Sequence, residues 1–235
     1  YPLLPPPPPD FQGLRDCIRR KTRPLRVYNA EMFIDGPIKL ELMRRFLIQP
    51  GVPESDPLFN PTLDIALALN LGYDMVRIHL PDSEFPMNVR SSADEADGIP
   101  DANRQGYIVH EHGGPIRNWK DFESYPWPRI ETLNTAPLEW AGRNLPDGMK
   151  AFDLSGQFFE CLNWLLGYEG LFMMMYDDPE FLRAVLDKVA DAYLAYTRLL
   201  CDFDCIGAIW AADDMGFKTQ TLVSPEWLKE NIIPL

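Results

Sequence analysis

Short apolar runs with strand character alternate along this chain with segments that carry helix-start signals, and few folds can absorb that alternation. The runs are Leu25 to Met32, Tyr73 to Leu80, Met149 to Leu154 and Cys205 to Ala211. Each leads into helical sequence, directly or after a loop. Parallel neighbours need a crossover connection, usually a helix, so this order predicts an α/β fold with a parallel sheet or barrel. The segments around Val27, Val76, Phe152 and Ile209 are expected to be neighbours in that order, joined by right-handed crossovers.

The helices are placed by their first residues. Asp10 is positioned to cap a helix running through Arg20. Asp35-Gly36-Pro37 starts a second, to about Leu47, with proline at the first helical position, where its missing N–H costs nothing. Asn60-Pro61 begins a third, which Gly72 ends. Asp178-Pro179-Glu180 opens the longest, with Phe181, Val185, Val189, Tyr193 and Tyr196 at helical spacing. Ser224-Pro225-Glu226 opens the last. The stretch from Pro81 to Pro128 breaks the rhythm. It is rich in proline, glycine and charge, and Gly106 to His112 reads as a hairpin within an insertion after the second strand.

Composition narrows the function. The chain has 235 residues, 46% of them hydrophobic and 24% charged, which suits one larger domain with a real core. Its net charge of −13 repels phosphate backbones and anionic lipids, which argues against nucleic-acid and membrane partners. A polyanionic substrate would need a local basic cluster set against that field. No apolar run reaches 18 residues; the longest, around Leu171 to Tyr176, is far shorter. Tyr1 leads into Pro5 to Pro9, a stiff tail over residues 1–10 rather than a secretory signal. The missing initiator methionine suggests a chain cut from something longer. Of the four cysteines, Cys201 and Cys205 lie four apart without further ligands nearby in sequence, so they and Cys17 and Cys161 read as reduced thiols of a cytoplasmic protein.

Three stretches carry a resemblance. They are Gly114-Pro-Ile-Arg-Asn-Trp-Lys-Asp-Phe-Glu-Ser-Tyr-Pro-Trp-Pro128; Gly167-Tyr-Glu-Gly-Leu-Phe with Asp177-Asp-Pro-Glu-Phe-Leu-Arg-Ala-Val-Leu-Asp187; and the segment from Ala212-Asp-Asp-Met-Gly-Phe to Leu235. Taken in order, they resemble the uroporphyrinogen decarboxylase superfamily, which includes the haem-pathway decarboxylases and the corrinoid-linked methyltransferases. The resemblance implies a (β/α)8 TIM barrel, of which residues 11–235 would be the N-terminal half, cut after about the fourth strand inside the helix that begins at Ser224. A half-barrel with open edges is expected to be inactive alone and to aggregate or recruit a partner.

The branch turns on departures from the decarboxylase pattern. The resemblance implies an arginine-rich motif after the first strand, yet Val27-Tyr-Asn-Ala-Glu-Met-Phe-Ile-Asp-Gly36 holds no arginine. Asn163, in Gly156-Gln-Phe-Phe-Glu-Cys-Leu-Asn163, stands where a tyrosine is expected. Asp213-Asp214 stands where a small hydroxyl residue is expected. Carboxylates facing a polyacid are costly in a half-buried site, which disfavours uroporphyrinogen as substrate. The resemblance then implies methyl transfer between a corrinoid, on a corrinoid protein as partner, and a small-molecule thiol, amine or ether oxygen. Zinc would activate a thiol there, with its His and Cys ligands beyond Leu235. A decarboxylase and a non-catalytic paralogue are the alternatives.

Site candidates follow from the strand ends, where barrel enzymes build their sites. Asn29 and Glu31 read as substrate contact or proton handling, or else as capping and ion pairing. Arg77 and His79 share one side of the second strand, because side chains alternate. His79 reads as a proton-transfer group or as a hydrogen-bonded structural histidine. His110 and His112 alternate likewise, with Glu111 on the other face. Asp153, Gln157 and Glu160 form a pocket wall or supply favourable charge at a helix start. Asp213 and Asp214 orient a substrate, act as base or hold a cation, or else they pin a turn through Gly216. Glu31, His79, Asp153 and Asp213 are expected to converge. Met173 to Met175 reads as core filler.

Overall fold

The computed structural model describes residues 5–86 and 113–235. Among them the chain is mixed α/β and divides into two compact units. The first gathers described residues within Tyr1–Pro81, Leu133–Leu154 and Arg198–Trp210; the second gathers those within Asp82–Thr132, Ser155–Thr197 and Ala211–Leu235.

The first unit holds a parallel sheet in the order β1 (Met75–Arg77), β2 (Lys150–Leu154), β3 (Ile206–Trp210). Met75 pairs with Lys150 and Arg77 with Phe152; Asp153 then pairs with Ile209 beyond a register shift between Ala151 and Phe152. Three of the four expected strands are therefore present, parallel and in the expected order, each shorter than its apolar run. The helices α1 (Phe11–Ile18), α2 (Gly36–Arg45), α3 (Phe59–Leu71) and α5 (Ala136–Asn144) belong to this unit. α3 is apolar on nearly every side: Phe59, Leu63, Ile65, Leu67 and Ala68 are all buried. Each large side chain so buried contributes about 2 kcal/mol. Gly72 ends the helix in the left-handed conformation (φ 73°), which a glycine adopts without strain. Asp10 caps α1 through its side chain, accepting from the Gly13 amide at 2.8 Å.

The expected strand over Leu25 to Met32 does not form. Leu25 and Val27 are exposed, and of the segment's apolar side chains Ala30 packs on the core beside Phe11 and Met75, only partly buried. One main-chain bond ties the segment down, from the Asp74 amide to the Asn29 carbonyl at 2.8 Å. The Asn29 amide goes instead to the Asp74 carboxylate, at 2.9 Å. A side chain thus takes the place a ladder carbonyl would fill, and pairing stops after one residue.

The second unit is helical: α4 (Trp119–Ser124), α6 (Phe158–Leu166), α7 (Tyr168–Asp177), most of α8 (Pro179–Cys201) and α9 (Pro225–Asn231). Its core runs along α6 and α8, where Phe159, Leu162, Leu165, Phe181, Val185, Val189 and Tyr193 are buried together. The helical spacing read along α8 is the spacing that packs. Asp178 accepts from the Phe181 amide at 3.0 Å, and Ser224 accepts from the Trp227 amide at 3.1 Å, so both expected starts carry real caps. Met174 and Met175 lie against the core, while Met173 is exposed. The expected Gly106 to His112 hairpin, with His110, Glu111 and His112, falls outside the described residues.

Candidate functional site

β1 and β2 bring three expected site residues together at their carboxyl ends. Arg77 Nε donates to Asp153 Oδ1 at 2.6 Å, and Arg77 Nη2 lies 3.1 Å from His79 Nδ1. His79 Nδ1 in turn lies 3.3 Å from Asp153 Oδ2. Two-residue spacing puts Arg77 and His79 on one side, as expected. The Asp153 side chain is 1% exposed, Arg77 20% and His79 35%, so a buried carboxylate holds two more accessible bases. The Leu154 amide also donates to Asp153 Oδ1, at 2.8 Å.

The geometry gives His79 two states without moving its ring. With Nδ1 unprotonated, its lone pair accepts from the Arg77 guanidinium and the ring proton sits on Nε2. With Nδ1 protonated, it donates to Asp153 Oδ2 instead.

A second ion pair stands beside this cluster. Lys39 on α2 and Asp64 on α3 meet at 2.6 Å, each about one-fifth exposed. Burial pushes the Asp64 carboxyl above its ordinary value, and Lys39, Arg77 and His79 pull it back. Neither residue is among those singled out from sequence. Asp64 stands out in Leu63-Asp64-Ile65-Ala66-Leu67, where one acid interrupts an apolar helix, but nothing in that spacing points to Lys39.

Asn29 and Glu31 lie in the segment between Leu25 and α2. The Asn29 backbone is bound to Asp74, and its side-chain amide reaches the Gly72 carbonyl at 3.5 Å. Glu31 is exposed and accepts from the adjacent Met32 amide at 3.1 Å; among the described residues it makes no bond to the His79 cluster.

In the second unit Asp213 caps α6. Its two carboxylate oxygens accept from the Phe159 and Glu160 amides at 2.9 and 2.8 Å, across more than fifty residues of sequence. Gln157, at the N-cap position, supplies no cap bond of its own and donates instead to Glu160, at 3.1 Å. Asp214 accepts from the Gly216 amide at 3.1 Å, which is the turn-pinning alternative. Burial raises the Asp213 carboxyl against the lowering effect of those amides, and it raises Glu160 too, with the Asp213 and Asp214 charges adding. Burial likewise raises the Cys161 thiol and the Tyr193 hydroxyl that is hydrogen-bonded to it.

A carboxyl raised in the folded state binds its proton more tightly there than in the unfolded chain. Stability is then greatest below the ordinary carboxylate range and falls as pH rises through the raised value. Glu160→Gln keeps an acceptor for Gln157 and removes the charge. It is expected to raise the denaturation midpoint at pH 7 and to leave it unchanged well below pH 4. A midpoint at pH 7 equal to or below the parent's would contradict the assignment.

No family model, curated protein or solved structure matches the chain. Zinc, which the resemblance implies, finds no ligand set among the described residues: no three His, Cys, Asp or Glu side chains come together. Cys201 is exposed, whereas Cys205 is buried with its Sγ 3.6 Å from the Leu138 carbonyl. Among the described residues no helix is long and apolar enough to cross a membrane.

Proposed function

We propose that this chain is part of a (β/α)8-barrel enzyme, related to the uroporphyrinogen decarboxylase superfamily, that passes a methyl group between a corrinoid and a small acceptor. The reading is supported by one observation above all. Arg77, His79 and Asp153 meet at the carboxyl ends of two adjacent parallel strands, the end where α/β enzymes bind their ligands. The choice of methyl transfer comes from the resemblance and from the missing arginines between Val27 and Gly36.

A methyl-corrinoid, when bound, would supply the methyl group. A thiol, amine or hydroxyl acceptor must lose a proton as the methyl arrives, and His79 takes it while Asp153 stabilises the resulting imidazolium. Arg77 holds both partners in place, so the ring does not turn away between proton uptake and return.

The test uses the protein with methylcobalamin, added zinc, and a panel of thiols, amines and hydroxyl compounds. Methyl transfer to at least one acceptor is expected, and His79→Gln should slow it by about a hundredfold or more, as removal of a general base does. Absence of transfer to every acceptor, or a His79→Gln variant with the parent's rate, would overturn the reading.

A further inference from the structure

We propose that Pro5 to Pro9 form a docking ridge for a partner domain whose groove is lined by aromatic rings and rimmed by neutral or basic side chains. The inference is independent of the chemistry at His79.

Proline fixes φ, and a following proline holds the residue before it in the extended region. Five in a row therefore form a left-handed polyproline II helix with three residues per turn. Residues three apart share a ridge. Pro6 and Pro9 lie against the body of the first unit. A Cβ on Gly72 would stand 3.1 Å from the Pro6 Cβ, and a Cβ on Gly148 would collide with the Pro9 carbonyl oxygen. Pro5 and Pro8 share a different ridge, about 9 Å apart at the rise of this helix. Both are exposed, whereas Pro9 is half-buried.

The run is pinned at its carboxyl end. The Pro8 carbonyl accepts from Arg26 Nη2 at 3.1 Å, and the Asp10 amide donates to Asp74 at 2.8 Å. The Phe11 amide donates to the Gly148 carbonyl, also at 2.8 Å. These contacts use main-chain groups and leave the Pro5 and Pro8 rings out. A segment stiffened by its own rings and held at one end loses little conformational entropy when a partner takes it. Grooves lined by aromatic rings bind such segments by accepting prolines spaced as Pro5 and Pro8 are.

Charge selects among such grooves. No basic residue precedes Arg15 in the chain, and Asp10 follows the last proline. Arg26, the base nearest the run, is paired with the buried Asp74. The whole chain carries a net charge of −13. A groove with an acidic rim is repelled by this chain, and one with a neutral or basic rim is not.

Two purified, isotope-labelled domains serve as probes: an EVH1 domain with a basic groove rim and an SH3 domain with an acidic one. Each is titrated with the protein and followed by NMR. Saturable shifts of the groove aromatics are expected in the EVH1 domain, with affinity at least tenfold above that of the SH3 domain. Pro5→Ala and Pro8→Ala should each weaken the EVH1 complex by roughly tenfold, the loss expected of a buried interface anchor. Pro6→Ala, on the ridge facing Gly72, should weaken it by no more than about threefold. Should Pro8→Ala lower the denaturation midpoint, Pro5→Ala alone decides, because Pro5 makes none of the anchoring contacts. Absence of EVH1 binding would overturn the proposal and leave the run a spacer. Equal losses in Pro5→Ala and Pro6→Ala would overturn the ridge assignment, and equal affinity for the two domains would overturn the choice of rim.

Discussion

Asp153→Ala is expected to destabilise the protein by about 3 kcal/mol, the lower end of what breaking a buried ion pair costs. The carboxylate is 1% exposed and accepts from Arg77 Nε at 2.6 Å and the Leu154 amide at 2.8 Å. Removing it takes one carboxylate away from a guanidinium that is four-fifths buried. A buried cation left with one acceptor fewer accounts for most of the loss. The contact itself is worth less, because both ions gave up water to form it. Asp153→Asn should therefore cost less than Asp153→Ala, since the amide oxygen still accepts from Arg77 and fills the space. The double variant Arg77→Met, Asp153→Leu should recover much of the loss, because neither charge then remains buried. Denaturant midpoints at constant slope measure all three. If Asp153→Ala costs under about 1 kcal/mol, the pair behaves as a surface bridge and the site lacks the rigidity argued for it.

Which features the sequence exposed depends on how far apart the interacting residues lie. The caps at Asp10, Asp178 and Ser224 each reach three residues along the chain, and all three hold. The apolar stripe of α8 is a local period and packs as read. The cap on α6 was invisible, because Asp213 supplies it across more than fifty residues while Gln157 leaves the position empty. Asp213 and Asp214 were legible as a pair of rim carboxylates, but one closes a helix end and the other pins a turn. Arg77 and His79 were legible as strand-end neighbours by alternation alone. Their meeting with Asp153 required β1 and β2 to be adjacent, which the order of apolar runs implied. The segment at Leu25 to Met32 shows the opposite failure. Its pattern fits a strand, but strand formation needs a surface to bury against, and the pattern carries no information about Asp74 intercepting the Asn29 amide. Lys39 and Asp64 were missed because pairing between two helices has no signature at fixed spacing.

The largest loss of all is expected from Asp74→Ala, at about 4 kcal/mol. Asp74 is fully buried. It accepts from the Asp10 amide at 2.8 Å and the Asn29 amide at 2.9 Å, and it is bridged by both terminal nitrogens of Arg26. Four donors converge on one carboxylate, and a methyl group satisfies none of them. Two of the donors are main-chain groups, one at Asp10 just before α1 and the other at Asn29 in the run after Leu25. Arg26 also stacks over the Tyr28 ring at 4.8 Å and donates to the Pro8 carbonyl at 3.1 Å, so its loss loosens the tail as well. The effect should therefore be local before it is global. Amide exchange at Asp10 and Asn29 should rise well ahead of exchange along β2, and trypsin should cut after Arg26 under conditions where the parent is intact. Arg26→Met alone should cost less than Asp74→Ala, because the two amides keep their acceptor. If amide exchange at Asp10 and Asn29 instead rises equally in both variants, the guanidinium and not the carboxylate is the anchor, and Asp74 is only its counter-ion.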